Sequence, residues 1–287
     1  MFARPVLGTL MLLRSFISIV VLCLSLKVTA KEPVAVASIN LCADQLVLLL
    51  ADNDQIRSLS NLSHQEAGSY YFEAAREYPV NEGHAEQILG LQPDIVIVGQ
   101  YSSQHTVAML QEVGLKTHTL PIADSIDAVF QNILDVASWL GHPQRGEALV
   151  KEYRNKLARI QPPDNEQPIA AVFDPNGYTS GPLSLRGQMI ETAGFRNAAS
   201  IAGIESYGKL SLEAIISLNP DALIESPYSP GTWSRAQAVS EHPALLEAGI
   251  NPRVIHVPSR MTVCGGPWTI DVIEQLQSER QKLMSGS

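Results

Sequence analysis

Glu86-Gln87-Ile88-Leu89-Gly90-Leu91-Gln92-Pro93-Asp94 and Glu213-Ala214-Ile215-Ile216-Ser217-Leu218-Asn219-Pro220-Asp221 carry one pattern twice in one chain. The glutamate, the apolar pair, the leucine and the Pro-Asp recur in identical order. Each segment spaces its apolar residues for a helix, and the proline then stops it. Each is followed by a short apolar strand, Ile95 to Val98 and Ala222 to Ile224. The flanks agree: Gly114-Leu115 and Gly249-Ile250 read as helix ends, each leading to a strand that stops at Pro121 or Pro258. Each half also opens on a β-strand pattern, Val34 to Ile39 and Ile169 to Phe173. Strands that alternate with helices imply parallel, sheet-centred α/β lobes, and two similar lobes are the economical reading.

Between the halves, Ile126, Val129, Phe130, Ile133, Val136, Ala137 and Leu140 fall on one helical stripe. Gly141-His142-Pro143 breaks it, and a second helix carries Leu149, Tyr153, Leu157 and Ile160 before Pro162-Pro163. The expected fold class is therefore α/β: two Rossmann-like lobes with central parallel sheets, joined by a long interlobe helix; the ligand cleft between the lobes is what the resemblance given below implies. The expected boundaries are 1–30 for a signal peptide, 31–122 for the N-terminal lobe, 123–161 for the helical linker and 162–287 for the C-terminal lobe. A connecting helix resists large closure, unlike a flexible strand hinge.

The first thirty residues read as an export signal. Arg4 and Arg14 flank the early part, an apolar run extends from Phe16 to Leu26, and Val28-Thr29-Ala30 supplies small-x-small. The run is short of the roughly 20 apolar residues that a membrane span takes, which disfavours an anchor. Leu22 before Cys23 is too large for a lipoprotein site, so cleavage is expected after about Ala30 and the location is periplasmic. The formal charge is −9 with no Lys/Arg-rich block, which argues against a nucleic-acid partner. The pattern is that of a monomer.

After cleavage two cysteines remain, Cys42 and Cys264. Three readings stand: a disulfide that joins the two ends of the chain, two separate thiols near a ligand, or a two-cysteine metal site. The last lacks the further N or S ligands that zinc takes. His64, His84, His105, His118, His142, His242 and His256 are scattered singly, so no metal site is assigned and no cofactor is expected.

At this point the chain resembles the periplasmic binding proteins for cobalamin and ferric siderophores, over nearly the whole mature length. The Glu-x-Ile-Leu-x-Leu-x-Pro-Asp segment and its copy carry the resemblance, with weaker support from Tyr178-Thr179-Ser180-Gly181. The resemblance implies a shallow interlobe cleft, small closure and an ABC importer permease as membrane partner. It implies that Glu86 and Glu213 each pair with permease arginines; the plainer reading is that each favours the positive end of its own helix. It places ring-contacting aromatics at Tyr178 and Tyr207. Trp233 with Tyr228, and Tyr101, follow strands of their lobes, where parallel sheets meet ligands, and Tyr70-Tyr71 stand in a polar loop. Arg260 would neutralise an anionic chelate, and Trp268, beside Gly265-Gly266, offers a large face.

The chain departs from cobalamin binders around Asn81-Glu82-Gly83, where no tryptophan stands, and at Ser259-Arg260-Met261, which replaces an acid–aromatic pair. The expected function is capture of a metal chelate, a ferric siderophore or cobalamin-like compound, for delivery to the permease. A haem-binding protein of the same importer type is one alternative, and an enzyme acting on a chelate in the cleft is the other. The chain has no G-x-S-x-G elbow, P-loop, G-x-G-x-x-G or H-E-x-x-H to support the enzyme. A sensor that signals to a receptor would share every feature above.

Overall fold

The two Pro-Asp segments do the same structural work. Gln92 and Asn219, the residues before each proline, both adopt left-handed backbone (φ 48° and 44°). That turn swings the aspartate onto the opening strand of its own half. Asp94 N–H donates to the Ala35 carbonyl (2.8 Å), and Ala35 N–H donates to Asp94 Oδ2 (2.7 Å). Asp221 and Ile169 exchange the same two bonds at the same two distances. The repeated aspartate thus satisfies backbone groups at a sheet margin that would otherwise lack partners.

These relations were seen in a computed structural model that describes residues 33–160, 167–227 and 242–285. The signal segment expected at 1–30 lies outside the described residues. In the first half, β1 (Val36–Ser38), β2 (Ile56–Ser60), β3 (Val80–Asn81), β4 (Ile95–Gly99) and β5 (Lys116–Leu120) form a parallel sheet ordered β3-β2-β1-β4-β5. Helices α1 (Leu41–Leu50), α2 (Phe72–Ala75), α3 (Ala85–Gly90) and α4 (Gln104–Glu112) connect them. The linker supplies α5 (Ile126–Trp139) and α6 (Pro143–Leu157).

In the second half β6 (Ile169–Val172), β8 (Arg196–Asn197), β10 (Ala222–Glu225) and β11 (Arg253–His256) form a parallel sheet ordered β11-β10-β6-β8. A separate antiparallel ribbon pairs β7 (Tyr178–Ser180) with β9 (Tyr207–Lys209). The helices here are α7 (Leu185–Thr192), α8 (Ala198–Ile201), α9 (Leu212–Leu218), α10 (Pro243–Glu247) and α11 (Trp268–Ser285). In both sheets the strand after Pro-Asp lies directly beside the opening strand, so the strand order reverses there. The duplication extends from sequence to topology.

Helix α5 is about 21 Å long at 1.5 Å per residue. Ser125 caps it, its hydroxyl accepting from Ala128 N–H (3.1 Å). The stripe read from the sequence is buried, with Ile133, Val136 and Ala137 fully so. It packs into one apolar core with Val36, Leu46 and Ile97 of the first lobe and Val172, Met189 and Ile273 of the second. Each such side chain contributes roughly 1.5–3 kcal/mol by burial, so the lobes are coupled through α5 and not merely tethered by it. Helix α6 folds back against α5, where a Cβ at Gly146 would stand 2.5 Å from that of Ala137.

One carboxylate lies in the first lobe's interior. Asp44 on α1 is fully buried; its Oδ1 accepts from Ser60 N–H (3.0 Å) and its Oδ2 from the Ser60 hydroxyl. Desolvation pushes its pKa up to about 7, partly offset by the Ser38 and Ser60 hydroxyls. A raised carboxyl pKa means that the folded chain holds a proton which the unfolded chain has released above its ordinary 3.8. The stabilisation is complete below about pH 4, declines as pH rises to about 7, and is lost above that; its full span is on the order of 4 kcal/mol. Unfolding curves of Asp44→Asn at pH 5 and pH 8 are expected to show this decline removed, and a parallel decline in the variant would contradict the assignment.

Candidate functional site

In a parallel sheet that reverses its strand order, the loops beyond the carboxyl ends of the strands diverge and leave a crevice. The loops of both lobes meet there. The segment between β11 and α11 of the second lobe reaches the first lobe at several points. Cys264 is disulfide-bonded to Cys42 at the start of α1. The Ser259 hydroxyl donates to the Ala67 carbonyl (2.5 Å), and Arg260 Nη1 stands 3.9 Å from Glu66 Oε1. Trp268 stacks on Tyr70 (4.8 Å between centroids, 19° between planes) and meets Tyr71 edge-on (5.7 Å, 83°). Gly265 sits where a Cβ would come 2.5 Å from Val129 of α5, so only glycine fits the chain so close to the helix.

Trp268 does not present the ligand face expected of it. It is 1 % exposed, its ring is covered by Tyr70, and its indole N–H donates to the Cys264 carbonyl (2.9 Å). The paired glycines bring the backbone against α5 and the indole itself, so the tryptophan builds the wall and is hidden by it. Trp233 and Tyr228 lie outside the described residues.

The other aromatics are open. Tyr101, two residues past β4, is 83 % exposed, Tyr178 is 51 % and Tyr207 65 % exposed. Tyr178 and Tyr207 stand on opposite strands of the β7–β9 ribbon, where Tyr178 pairs with Lys209 and Ser180 with Tyr207. Lys209 Nζ lies 4.6 Å from the Tyr178 ring centroid, a cation over a π face. Leu62 after β2, Ile122 after β5, Leu183 between β7 and α7, and Val263 after β11 are exposed as well.

Arg260 is about one third exposed, and its carboxylate neighbour Glu66 is more so, a geometry worth little as a surface pair. A second arginine, Arg186 on α7, was not singled out by the sequence. Its Nη1 donates to Asp174 Oδ2, and its Nη2 reaches Asp174 Oδ1 (3.3 Å) and the Ser226 hydroxyl (3.1 Å). Asp174 follows β6 and Ser226 follows β10, so the cluster ties the adjacent carboxyl ends of two strands. Only the sheet order reveals that these ends are neighbours. Among the described residues no group of three or more His, Cys, Asp or Glu is placed to hold a metal ion.

Glu86 and Glu213 occupy identical positions, the second residue of α3 and of α9, and both are exposed. Ile88 and Ile215, two residues on, are each fully buried and seat the helices equivalently. A hydrogen bond with the Ser211 hydroxyl holds the Glu213 carboxyl below the usual carboxylate range.

A family model described as periplasmic binding protein matches residues 36–261. A cobalamin-binding protein of Halobacterium salinarum (strain ATCC 29341 / DSM 671 / R1) is 30% identical over 203 residues, 67% of this chain and 54% of that protein. The chain thus spans about half the length of the curated relatives it matches. Among solved structures, a periplasmic heme-binding protein from Roseiflexus sp. RS-1 in apo form superposes with a TM-score of 0.69 at 24% identity, covering 87% of this chain and 100% of that one. The periplasmic heme-binding protein of Vibrio cholerae gives 0.72 at 19% identity, with 86% and 98% covered. The periplasmic vitamin B12-binding protein of Vibrio cholerae gives 0.61 at 15% identity, with 88% and 98% covered. These structures share the fold.

Proposed function

The chain belongs to the periplasmic binding protein family, and from that premise we propose that it captures a metal chelate in the periplasm for an ABC importer. The chelate is cobalamin-like or a ferric siderophore. The observation that carries this reading is that Tyr101, Leu62 and Ile122 of one lobe and Tyr178, Tyr207 and Leu183 of the other are all exposed, in strand-end loops or on the β7–β9 ribbon. A bulky, flat or greasy ligand suits such side chains, since aromatic faces supply much of the contact and a few polar groups orient it. Arg260 and Lys209 supply positive charge for an anionic periphery. The similarity to a cobalamin-binding protein supports a corrinoid within this class. The exposed tyrosine hydroxyls also support haem, because a phenolate can serve as an axial ligand of haem iron.

Fold and relatives alike are those of binding proteins, which supports a protein that carries its ligand without chemistry. Delivery rests on Glu86 and Glu213. Two equivalent carboxylates, one per lobe, suit a transporter with two-fold symmetry, because charge-assisted pairs fix orientation.

The site assignment is tested with Tyr178→Ala/Tyr207→Ala. The double variant is expected to bind the chelate about 100-fold more weakly, the order of loss seen when central aromatic anchors are truncated. Equilibrium dialysis against cyanocobalamin, ferric citrate, a ferric hydroxamate and haemin would read this. Affinity equal to that of the parent protein would place the ligand away from the ribbon.

A further inference from the structure

The contacts between the lobes are uneven. The lobes share the core built around α5, and beyond it the first lobe is gripped by the segment between β11 and α11. Ser259, Arg260, Cys264 and Gly265 of that segment and Trp268, the first residue of α11, each touch the first lobe or α5, through a hydrogen bond, an ion pair, a disulfide, a close backbone approach and stacked rings. Tyr70 N–H donates to Gln45 Oε1 (2.7 Å), which holds the receiving loop to α1, three residues from Cys42. The Asn40 side chain accepts from Cys42 N–H and Ala43 N–H, which fixes the start of α1 itself. Both ends of the disulfide are therefore anchored in rigid structure. Cys264 is 2 % exposed and sits in an apolar cluster with Leu41, Trp268, Tyr70, Tyr71 and Met261.

A body held to another by one packed helix can still rock about that helix. A second attachment, covalent and backed by stacked rings, removes the rocking. We propose that Cys42 and Cys264, with the Tyr70–Trp268 stack, are positioning residues that hold the lobes at one separation, so that this chain captures ligand on a cleft already formed. A preformed site loses less freedom on binding than one that must close. The proposal rests on the cleft being the ligand site, but its mechanical core is measurable without ligand.

The experiment is an interlobe distance by double electron–electron resonance, with spin labels on non-cysteine unnatural residues at exposed positions 112 and 200. In the native chain a single narrow distance is expected. In Cys42→Ala/Cys264→Ala the distribution is expected to broaden about twofold, a change that a merely stabilising disulfide would not cause in protein that remains folded. Ser259→Ala, which keeps the bridge, is expected to leave the native distribution in place. If the double variant does not fold, native protein reduced under mild conditions, with both thiols verified by mass, takes its place, and reoxidation is expected to restore the narrow distance. An unchanged distribution without the bridge would overturn the proposal and assign the spacing to α5 alone. A broadened one in protein that binds no chelate would uphold the spacer and remove only the functional reading.

Discussion

A chain carrying Glu86→Lys and Glu213→Lys together is expected to bind its chelate with the affinity of the parent protein and to support no import above background. Both carboxylates are exposed on the second residue of short helices. Their removal therefore leaves the cleft untouched. Against arginines of a permease, however, each reversal replaces an attractive pair with like charges that face one another, and such a juxtaposition is a strong rejection of the partner. Single reversals are expected to lower uptake about tenfold or more, and the pair to abolish it, because both lobes must dock at once. The measurement is uptake in vesicles that carry the permease, beside equilibrium binding by the same protein. The competing role, favouring a helix start, makes a different forecast: uptake intact, with a small loss of thermal stability. Lost ligand binding would contradict docking equally.

The second large effect concerns stability. The Cys42–Cys264 bridge closes a loop of 222 residues. Cross-linking so distant a pair removes much of the freedom of the unfolded chain, and the chain-entropy relation gives about 5 kcal/mol for a loop of this length. Cys42→Ala/Cys264→Ala is expected to lose roughly 3–5 kcal/mol of unfolding free energy and about 10 °C of midpoint temperature. Scanning calorimetry of the oxidised parent and the double variant measures this directly. A loss below about 1 kcal/mol would mean that the unfolded chain already keeps its ends together.

The fold was legible because its decisive signals are local. Helical spacing, a stopping proline and a following apolar run sit within a dozen residues of Glu86 and again of Glu213. The stripe from Ile126 to Leu140 and its break at Gly141-His142-Pro143 likewise named α5 and α6 without reference to anything distant. What each Pro-Asp accomplishes was not legible, because Asp94 bonds to Ala35 and Asp221 to Ile169, more than fifty residues away. The site divides the same way. Tyr101 was expected near a cleft because it follows a strand, and loops after parallel strands face ligands; Tyr178 was expected there from the resemblance alone. Trp268 was misjudged because its cover, Tyr70, comes from a polar loop of the other lobe. The Asp174–Arg186–Ser226 cluster was missed because the sequence does not say that β6 and β10 are neighbours.

Capture of a metal chelate in the cleft between the two carboxyl edges is open to isothermal titration of the chain from Lys31 onward against cyanocobalamin, a ferric hydroxamate, ferric citrate and haemin. One of the four is expected to saturate the protein at one per chain with sub-micromolar affinity, about −8 kcal/mol or better. Absence of saturable binding by all four would contradict it.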